Sequence, residues 1–519
     1  MADKIVRRKV SSAFKLHGFT LRSESCTYLA EQLEPLDESE FEVWLAKLID
    51  HIQSQRLPSN VVELNAVELA VRDCANEQQQ AAEDVFCVIS AFDVPRFKFN
   101  PDLKKYEDAP KKEHSLFDSA DAKAQLFWDR YTLIKQITER HPLFKPSADN
   151  SEEKFKIYPI EHLLSCPRRL NKIIALGLFS QLKIGMYHLE DPTGIVQLDL
   201  TDASYHVGLH AENCIVLAEG WYEDKIFHAK AIGFPPAETA EVSRAYLGSL
   251  NMFGGDSRLA CKTNKSLLKT MRDNKDRLIV FLSDVWLDQD NVMRKLQTLF
   301  EGFVSYPPIA FIFMGNFLSS KPGSAQAEQL KFNLRSLADL IASHPNLRQF
   351  SKFVFVPGLQ DPACPNILPR PPLPKSITED FEARVPNAIF TSNPCRIRYC
   401  TQEIVVMRED IMSKLCRNTI HYPTTGNIYE HFAKTLLSQA NLCPLPLSVR
   451  PVYWSFAHAM QLHPAPDLVV IGDTVNTFKS SHADCQVANP GSFAKNNFMF
   501  IAYCPSTKQV DESEITEDI

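Results

Sequence analysis

The 519-residue chain lacks the features that define several large classes of protein. It has no run of roughly 18 consecutive apolar residues, which a membrane-spanning helix would need, so no membrane contact is expected. Its 13 cysteines include no C-x-x-C pair, so neither a zinc site nor a disulfide framework is predicted. No apolar segment follows the first charged residues, so we expect no secretory signal. These absences predict a protein of the cytosol or nucleus.

Concentrated positive charge is also absent. The formal net charge is -7 and there is no long Lys/Arg block, whereas general nucleic-acid binders need dense positive charge to displace counterions. The chain also lacks the G-x-S-x-G elbow, the G-x-x-x-x-G-K-[ST] phosphate loop and the H-E-x-x-H helix. It therefore offers no template for an α/β-hydrolase, a P-loop NTPase or a helical zinc protease.

The most informative stretch that is present is a short apolar run at 278–288, which contains Asp284. A run of this length that is apolar on both faces predicts a fully buried strand, with Asp284 just past its carboxyl end. Further buried strands are predicted at 309–316, 353–358 and 467–473. Strands that alternate with helices predict a layered α/β domain at 270–505.

The preceding region has a different pattern. Five short apolar strands with tight turns lie within 155–236, which predicts a small OB-fold barrel. Aromatic residues on an OB barrel can stack on single-stranded DNA. Trp221, Tyr222 and Phe227 are therefore candidate weak contacts to single-stranded DNA, although packing inside the barrel is the alternative for all three.

The rest of the chain divides by periodicity and composition. Residues 1–75 show helical spacing and predict a small helical docking domain. A linker is predicted at 76–154, with one helix at 120–144, and a connector at 237–269. Residues 506–519 read as an acidic tail. The predicted fold class is thus a multidomain α/β protein with an all-β part.

The strand ends of the large domain resemble those of calcineurin-like metallophosphoesterases, whose motifs are D-x-H, G-D-x-x-D, G-N-H-[DE] and G-H-x-H. The corresponding positions of this chain are 284–286, 315–319, 358–361 and 472–475. Other residues replace most of the carboxylate and imidazole ligands of these motifs. For the isolated histidine of the family, His458 and His463 are only loose candidates. The resemblance implies an inactive α/β sandwich with no catalytic residue, no metal and no cofactor. The degenerate motif positions are Asp284, Trp286, Asn316, Ser319, Leu359, Gln360, Asp361, Asp473 and Val475.

Trp286 and Phe317 stand at two of these strand ends. A lost polar cavity must be filled, since protein interiors are close-packed. We therefore expect these two aromatic side chains to occupy the space that the metals would leave.

Longer segments resemble the B-subunits of eukaryotic replicative DNA polymerases, and among these the polymerase epsilon branch. They include "FLSDVWLDQ" at 281–289, "FVFVPGLQDP" at 353–362, "TSNPCRIRYCTQEI" at 391–404 and "PVYWSFAHAM" at 451–460. Two others, at 130–144 and 243–255, favour epsilon over the alpha, delta and zeta branches. The similarity covers nearly the whole chain.

This resemblance implies a non-catalytic accessory subunit in the nucleus. The OB and phosphoesterase-like domains would bind the C-terminal module of the catalytic subunit of DNA polymerase epsilon. The N-terminal domain resembles the lid of AAA+ proteins and would contact the CMG helicase through GINS. Small histone-fold subunits would join through the holoenzyme, and contact with DNA would be mainly indirect.

Two alternatives remain open from the residues alone. One is a divergent metal-dependent phosphodiesterase or nuclease, against which the missing histidines weigh. The other is an OB module that binds single-stranded DNA, against which the acidic balance of the chain weighs.

Overall fold

The computed structural model describes residues 2–33, 38–54, 60–71, 74, 85–102, 105–109, 117–145, 155–248, 250–255, 261–320, 323, 325–362 and 365–515. They form two compact units, Met1–Val85 and Phe86–Ile519. The linker predictions for 76–84, 110–116 and 146–154 lie outside the described residues. No helix in the described ranges is long and apolar enough to cross a membrane.

The first unit is helical. Its helices are α1 (Ala2–Leu16), α2 (Ser23–Leu33) and α3 (Glu38–Ser54), and residues 64–71 are also helical. A two-residue parallel bridge joins β1 (Thr20–Leu21) to β2 (Val61–Val62). The apolar residues of α3 recur every three or four positions, so they lie on one face and are buried. These residues are Phe41, Leu45, Leu48, Ile49 and Ile52.

The second unit begins with short strands and a long helix. The strands are β3 (Phe86–Ser90), β4 (Phe97–Asn100) and β5 (Lys105–Asp108), of which the last two form a hairpin. The helix α4 (Ala120–Arg140) packs Leu133, Ile134 and Ile137 against Leu176 and Ile215 of the barrel.

The barrel has the strand order β10-β6-β7-β8-β11-β9, and β10 also pairs with β11, which closes it. Inward-facing residues alternate with outward-facing ones, as expected for a strand with one buried face. A short helix, α5 (Ile160–Ser165), precedes it. The strands are β6 (Leu170–Lys183), β7 (Met186–Asp191), β8 (Gly194–Asp199), β9 (Ser204–Tyr205), β10 (Ile215–Glu223) and β11 (Ile226–Gly233).

The large domain is a sandwich of two six-stranded sheets. The first has the order β15-β14-β13-β12-β21-β22, and the second has the order β19-β20-β18-β17-β16-β3. The central strands are buried along their whole length and pair in parallel within each sheet, so their carboxyl ends meet at one edge. The strands are β12 (Ile279–Ser283), β13 (Ala310–Met314), β14 (Lys352–Val356), β15 (Ala388–Phe390), β16 (Cys395–Tyr399), β17 (Gln402–Arg408), β18 (Leu468–Gly472), β19 (Phe478–His482), β20 (Cys485–Asn489), β21 (Met499–Cys504) and β22 (Gln509–Glu514).

Helices connect these strands. The connector predicted at 237–269 contains a helix and a 3-10 turn, Cys261–Thr263. A second 3-10 segment is Trp454–Met460. The helices are α6 (Ala240–Leu247), α7 (Lys265–Asp273), α8 (Asp290–Phe303), α9 (Gln326–Ala342), α10 (Pro345–Phe350), α11 (Lys375–Arg384), α12 (Ile411–Asn418) and α13 (Ile428–Ser438).

Two boundary predictions need correction. The region 76–154 is not only a linker, because β3 pairs with β16 from Phe86↔Tyr399 to Ser90↔Cys395 and is an edge strand of the second sheet. Part of the predicted acidic tail at 506–519 is a strand, β22 (Gln509–Glu514). β22 pairs with β21 along six residues, so its acidic side chains lie on a sheet edge, where charge opposes pairing with another chain.

The barrel and the sandwich share one hydrophobic core. Buried polar contacts from α13 and the residue after it also join them. The Leu209 amide donates to Thr435 Oγ1 at 2.8 Å, and Gln439 exchanges two hydrogen bonds with the backbone of Ile215 at 2.7 and 2.8 Å. These hydrogen bonds are buried and satisfy polar groups of both the barrel and the sandwich. They therefore fix the position of the barrel on the sandwich.

Our first prediction concerns β3. A fragment of residues 85–519 should fold, whereas one of residues 117–519 should unfold at a lower temperature and aggregate. The shorter fragment exposes the edge of β16 and loses Ile89, which is 3% exposed. Thermal unfolding and light scattering of both fragments test this. Equal behaviour would contradict a structural role for β3.

The second prediction concerns His210, which lies at the junction between barrel and sandwich. It is 1% exposed and stacks on Phe234 at 4.3 Å, and burial, followed by Lys434, lowers its pKa to about 3. In the unfolded chain this imidazole has a pKa near 6.5, so it binds a proton at a higher pH than it does in the folded chain. The free energy of unfolding therefore falls as the pH drops below about 6.5.

Lowering the pH from 7 to 5 should therefore reduce the free energy of unfolding by about 2 kcal/mol through the titration of His210. Urea unfolding at both pH values measures the loss. In His210→Phe, which keeps the ring stack and removes the titration, the loss should be smaller by about that amount. An unchanged pH dependence would contradict this assignment.

Candidate functional site

The candidate site is the edge where the carboxyl ends of both sheets meet. From the first sheet, Asp284 follows β12, Asn316 lies beyond β13, and Asp361 lies beyond β14. From the second sheet, Arg408 ends β17 and Asp473 follows β18. Open α/β sheets place ligands at such edges, so the contacts made here decide what the domain can do.

Arg408 reaches from the second sheet to the first and is 1% exposed. Its Nη2 donates to Asp284 Oδ1 at 2.8 Å, and its Nε donates to the Gly315 carbonyl at 2.7 Å. On its own sheet, Nη1 donates to Asp410 Oδ1 at 2.9 Å and to the Gly472 carbonyl at 3.0 Å. One guanidinium thus joins the ends of both sheets.

The charge on this guanidinium is stable in the interior. Burial alone would lower the pKa of Arg408, but Asp284 and Asp410 raise it above its ordinary value. A buried charge is tolerated when it is paired and hydrogen-bonded, and the contacts above meet both conditions. Arg408 is therefore a permanent cation at the centre of the site.

Asp361 holds the neighbouring strand ends by accepting backbone hydrogen bonds. Its Oδ1 accepts from the Phe317 amide at 2.8 Å, and its Oδ2 accepts from the Gly358 amide at 2.6 Å. Burial raises the pKa of this carboxyl, while the two amides and nearby arginines oppose the rise. A Cβ added at Gly315 would lie 2.0 Å from Asp361 Oδ2, so close packing explains this glycine.

Arg370 also lies at this end of the sandwich and is 1% exposed. Its guanidinium donates to the carbonyls of Gly358 and Asp361. The loop after β14 is therefore held both by the Arg370 guanidinium and by the Asp361 carboxylate.

Asp473 makes structural contacts as well. Its Oδ2 accepts from the Met412 amide at 2.9 Å, at the start of α12, and its own amide donates to Asn489 Oδ1 at 3.0 Å. Burial, followed by the Asp410 charge, raises the pKa of Asp473 to about 6. An acceptor at a helix N-terminus is a capping arrangement.

The remaining motif positions make local contacts. Asn316 Oδ1 accepts from the Gln360 amide at 2.8 Å, and Ser319 Oγ donates to Asp288 Oδ2 at 2.8 Å. Gln360 and Ser319 are exposed. Trp286, Leu359 and Val475 are partly buried.

The expectation that aromatics fill the former metal position is wrong for Phe317. Phe317 is 1% exposed and packs on Phe355 at 5.9 Å, within the apolar core of the first sheet. Trp286 packs beside that core, with Lys495 Nζ 4.9 Å from its ring centroid. The guanidinium of Arg408 is the group that lies against Asp284.

Sequence reasoning missed Arg408, although one signal was present. Arg408 directly follows an apolar run at 404–407, as Asp473 follows the apolar run at 468–472. The two histidines considered instead lie elsewhere. His458 belongs to a 3-10 segment and its Nε2 lies 3.1 Å from the Val94 carbonyl, and His463 precedes Pro464 in the following loop.

The proposed contacts to single-stranded DNA need correction at two of three residues. Tyr222 and Phe227 are 3% and 0% exposed and belong to the barrel core, so no base can stack on them. Trp221 points outward, but it stacks on His228 at 5.0 Å. Arg169 and Lys230 each lie 5.6 Å from its ring centroid.

Three family models match this chain in succession. "DNA polymerases epsilon N terminal" matches residues 2–74, and "DNA polymerase epsilon subunit 2-like, OB-fold domain" matches 120–236. The model of the B-subunits of DNA polymerases alpha and epsilon matches 279–480. DNA polymerase epsilon subunit 2 of Bos taurus is 46% identical over 524 aligned residues, covering 99% of each chain. Its Drosophila melanogaster counterpart is 41% identical, covering 99% of this chain and 98% of its own.

The chain belongs to the DNA polymerase epsilon subunit 2 family. The resemblance to epsilon B-subunits and the OB-fold prediction are thereby confirmed. Among solved structures, a novel archaeal phosphodiesterase matches 46% of this chain and 99% of its own, with 12% identity and a TM-score of 0.27.

In this member of the epsilon subunit 2 family, the carboxylates of the site accept hydrogen bonds from backbone amides and a buried guanidinium. In the part of the chain that the structure describes, no three His, Cys, Asp or Glu side chains converge in a way that could hold a metal.

We predict that Asp361 stabilises the folded chain. Asp361→Ala leaves the buried amides of Phe317 and Gly358 without acceptors, so the free energy of unfolding should fall by about 3 kcal/mol. Ser319→Ala is the matched control at an exposed motif position and should cost less than about 1 kcal/mol. Urea denaturation measures both, and equal losses would contradict the structural role of Asp361.

Proposed function

We propose that the chain is a non-catalytic accessory subunit of DNA polymerase epsilon that acts in chromosomal DNA replication in the nucleus. The observation that carries this proposal is the similarity to epsilon subunit 2 proteins along 99% of both chains. The described strand ends support it, since the carboxylates of Asp284, Asp361 and Asp473 accept hydrogen bonds from protein donors there. A divergent phosphodiesterase or nuclease is therefore the weaker alternative.

The partner of the second unit would be the C-terminal module of the catalytic subunit. A rigid body made of barrel and sandwich suits a stable complex, because little order must be gained on binding. The β6–β7 hairpin of the barrel is the most exposed apolar feature of this region. Ile184 is 100% exposed and Leu182 is 65% exposed. Exposed apolar groups of this kind are typical anchors of protein interfaces.

The N-terminal unit would connect the polymerase to the CMG helicase through GINS. It has its own apolar core, and it exposes Leu16 at 86% and Leu69 at 53%. The small histone-fold subunits would be held through the holoenzyme, and DNA contact would be mainly indirect. The stacked arrangement around Trp221 fits this, because that ring is already in contact with His228 and two cations.

Co-expression with the C-terminal module of a polymerase epsilon catalytic subunit tests the proposal. Wild-type chain should elute from size exclusion as a stoichiometric complex. Ile184→Asp should weaken the complex at least tenfold, because it places a charge in an apolar contact. Tyr306→Asp is the control, since Tyr306 is 85% exposed on the sandwich. It should bind as wild type does.

Two further readouts separate the parts of the proposal. Removal of residues 1–85 should abolish capture of GINS and leave the complex with the catalytic module intact. Metal analysis of the purified chain should find no stoichiometric metal. A monomeric chain that carries its own Mn²⁺ or Zn²⁺ would contradict the accessory-subunit function and favour the enzyme.

A further inference from the structure

The phosphoesterase-like arrangement of strand ends implies metals at the sheet edge, and the residues present do not fit them. Asp284 Oδ1 accepts from Arg408 and also from the Asn316 amide at 3.0 Å. Both carboxylate oxygens of Asp361 accept backbone amides. A metal would have to displace these donors and then lie beside a permanent guanidinium cation, which Coulomb repulsion opposes.

The oxygens around Arg408 match a guanidinium in both charge and direction. Two carboxylates, Asp284 and Asp410, supply negative charge, while the carbonyls of Gly315 and Gly472 accept the other N–H groups. Two of these acceptors belong to the end of the first sheet and two to the end of the second. A planar group with five fixed donors can satisfy such a ring, whereas a lysine ammonium has one nitrogen.

We propose that this edge is a cation site whose resident occupant is the Arg408 guanidinium, which holds the two sheets together and makes folding independent of any metal ion. The pocket left by removing this side chain should then accept a free guanidinium ion. It would contain Asp284 and Asp410 without their counter-ion, and the same four oxygens would face the space.

Thermal unfolding of the full chain tests the proposal. Arg408→Ala should unfold at a clearly lower temperature than wild type. Low-millimolar guanidinium chloride should raise the midpoint of this variant by several degrees over sodium chloride at the same ionic strength. Neither wild type nor Arg384→Ala should gain. Arg384 is a matched control because its pair with Asp339 lies on the surface, with side chains 43% and 67% exposed.

A second variant covers the case in which Arg408→Ala does not fold. Arg408→Lys keeps the charge and loses the forked donors, so its midpoint should lie below that of wild type. A wild-type midpoint in Arg408→Lys would overturn the directional role of the guanidinium. A folded Arg408→Ala that guanidinium does not stabilise would overturn the cation site.

The effect of metal ions on thermal unfolding is measured with wild-type protein. Its midpoint should be the same in chelator, in Mg²⁺ and in Mn²⁺. A rise of several degrees with either ion, or a fall in chelator, would show that folding depends on a metal ion and would overturn the proposal.

Discussion

The contact between Arg408 and Asp284 is the interaction on which the sandwich depends. It is an ion pair of 2.8 Å whose side chains are 1% and 3% exposed, and it spans the two sheets at the edge where their strands end. Strand ends carry unpaired backbone groups, and a buried edge must satisfy them. The guanidinium does so for Gly315 and Gly472 while it balances the charge of Asp284. The two sheets are therefore joined at this edge by a paired, buried charge.

The contacts at this edge are consistent with the proposed accessory role. A hydrolytic site needs a nucleophile, groups that stabilise developing charge and room for the substrate. Here the carboxylates that could contribute are capping backbone amides or bonded to arginine. The same body is rigidly joined to the barrel through α13, so the surface formed by both is preformed. Preformed surfaces lose little entropy on association, which is an advantage for a subunit that binds a large partner.

Strand positions were predictable because buried strands in this chain are continuous apolar runs, as at 279–282 and 310–314. The barrel was predictable from its alternating strands and tight turns. The contribution of β3 to the second sheet was not, since it depends on a pairing between residues about 300 positions apart, such as Ile89 and Arg396. Arg408 was overlooked for a different reason. Arg408 belongs to the second sheet, so its contact with Asp284 of the first sheet leaves no trace in the motif positions themselves. A third limit concerns the aromatic residues of the barrel, Trp221, Tyr222 and Phe227. Only the register of the strands decides which aromatic side chains point into a barrel.

A double-mutant cycle on Arg408 and Asp284 tests the central claim most directly. Arg408→Met, Asp284→Asn and the double variant would be unfolded in urea alongside wild type. If the pair joins the sheets, each single variant leaves an uncompensated partner and should lose about 3–5 kcal/mol. The double variant should then lose less than the sum by more than about 1 kcal/mol. Losses that add to within about 0.5 kcal/mol would mean that the two residues act independently, and the account of the sheet edge would be wrong.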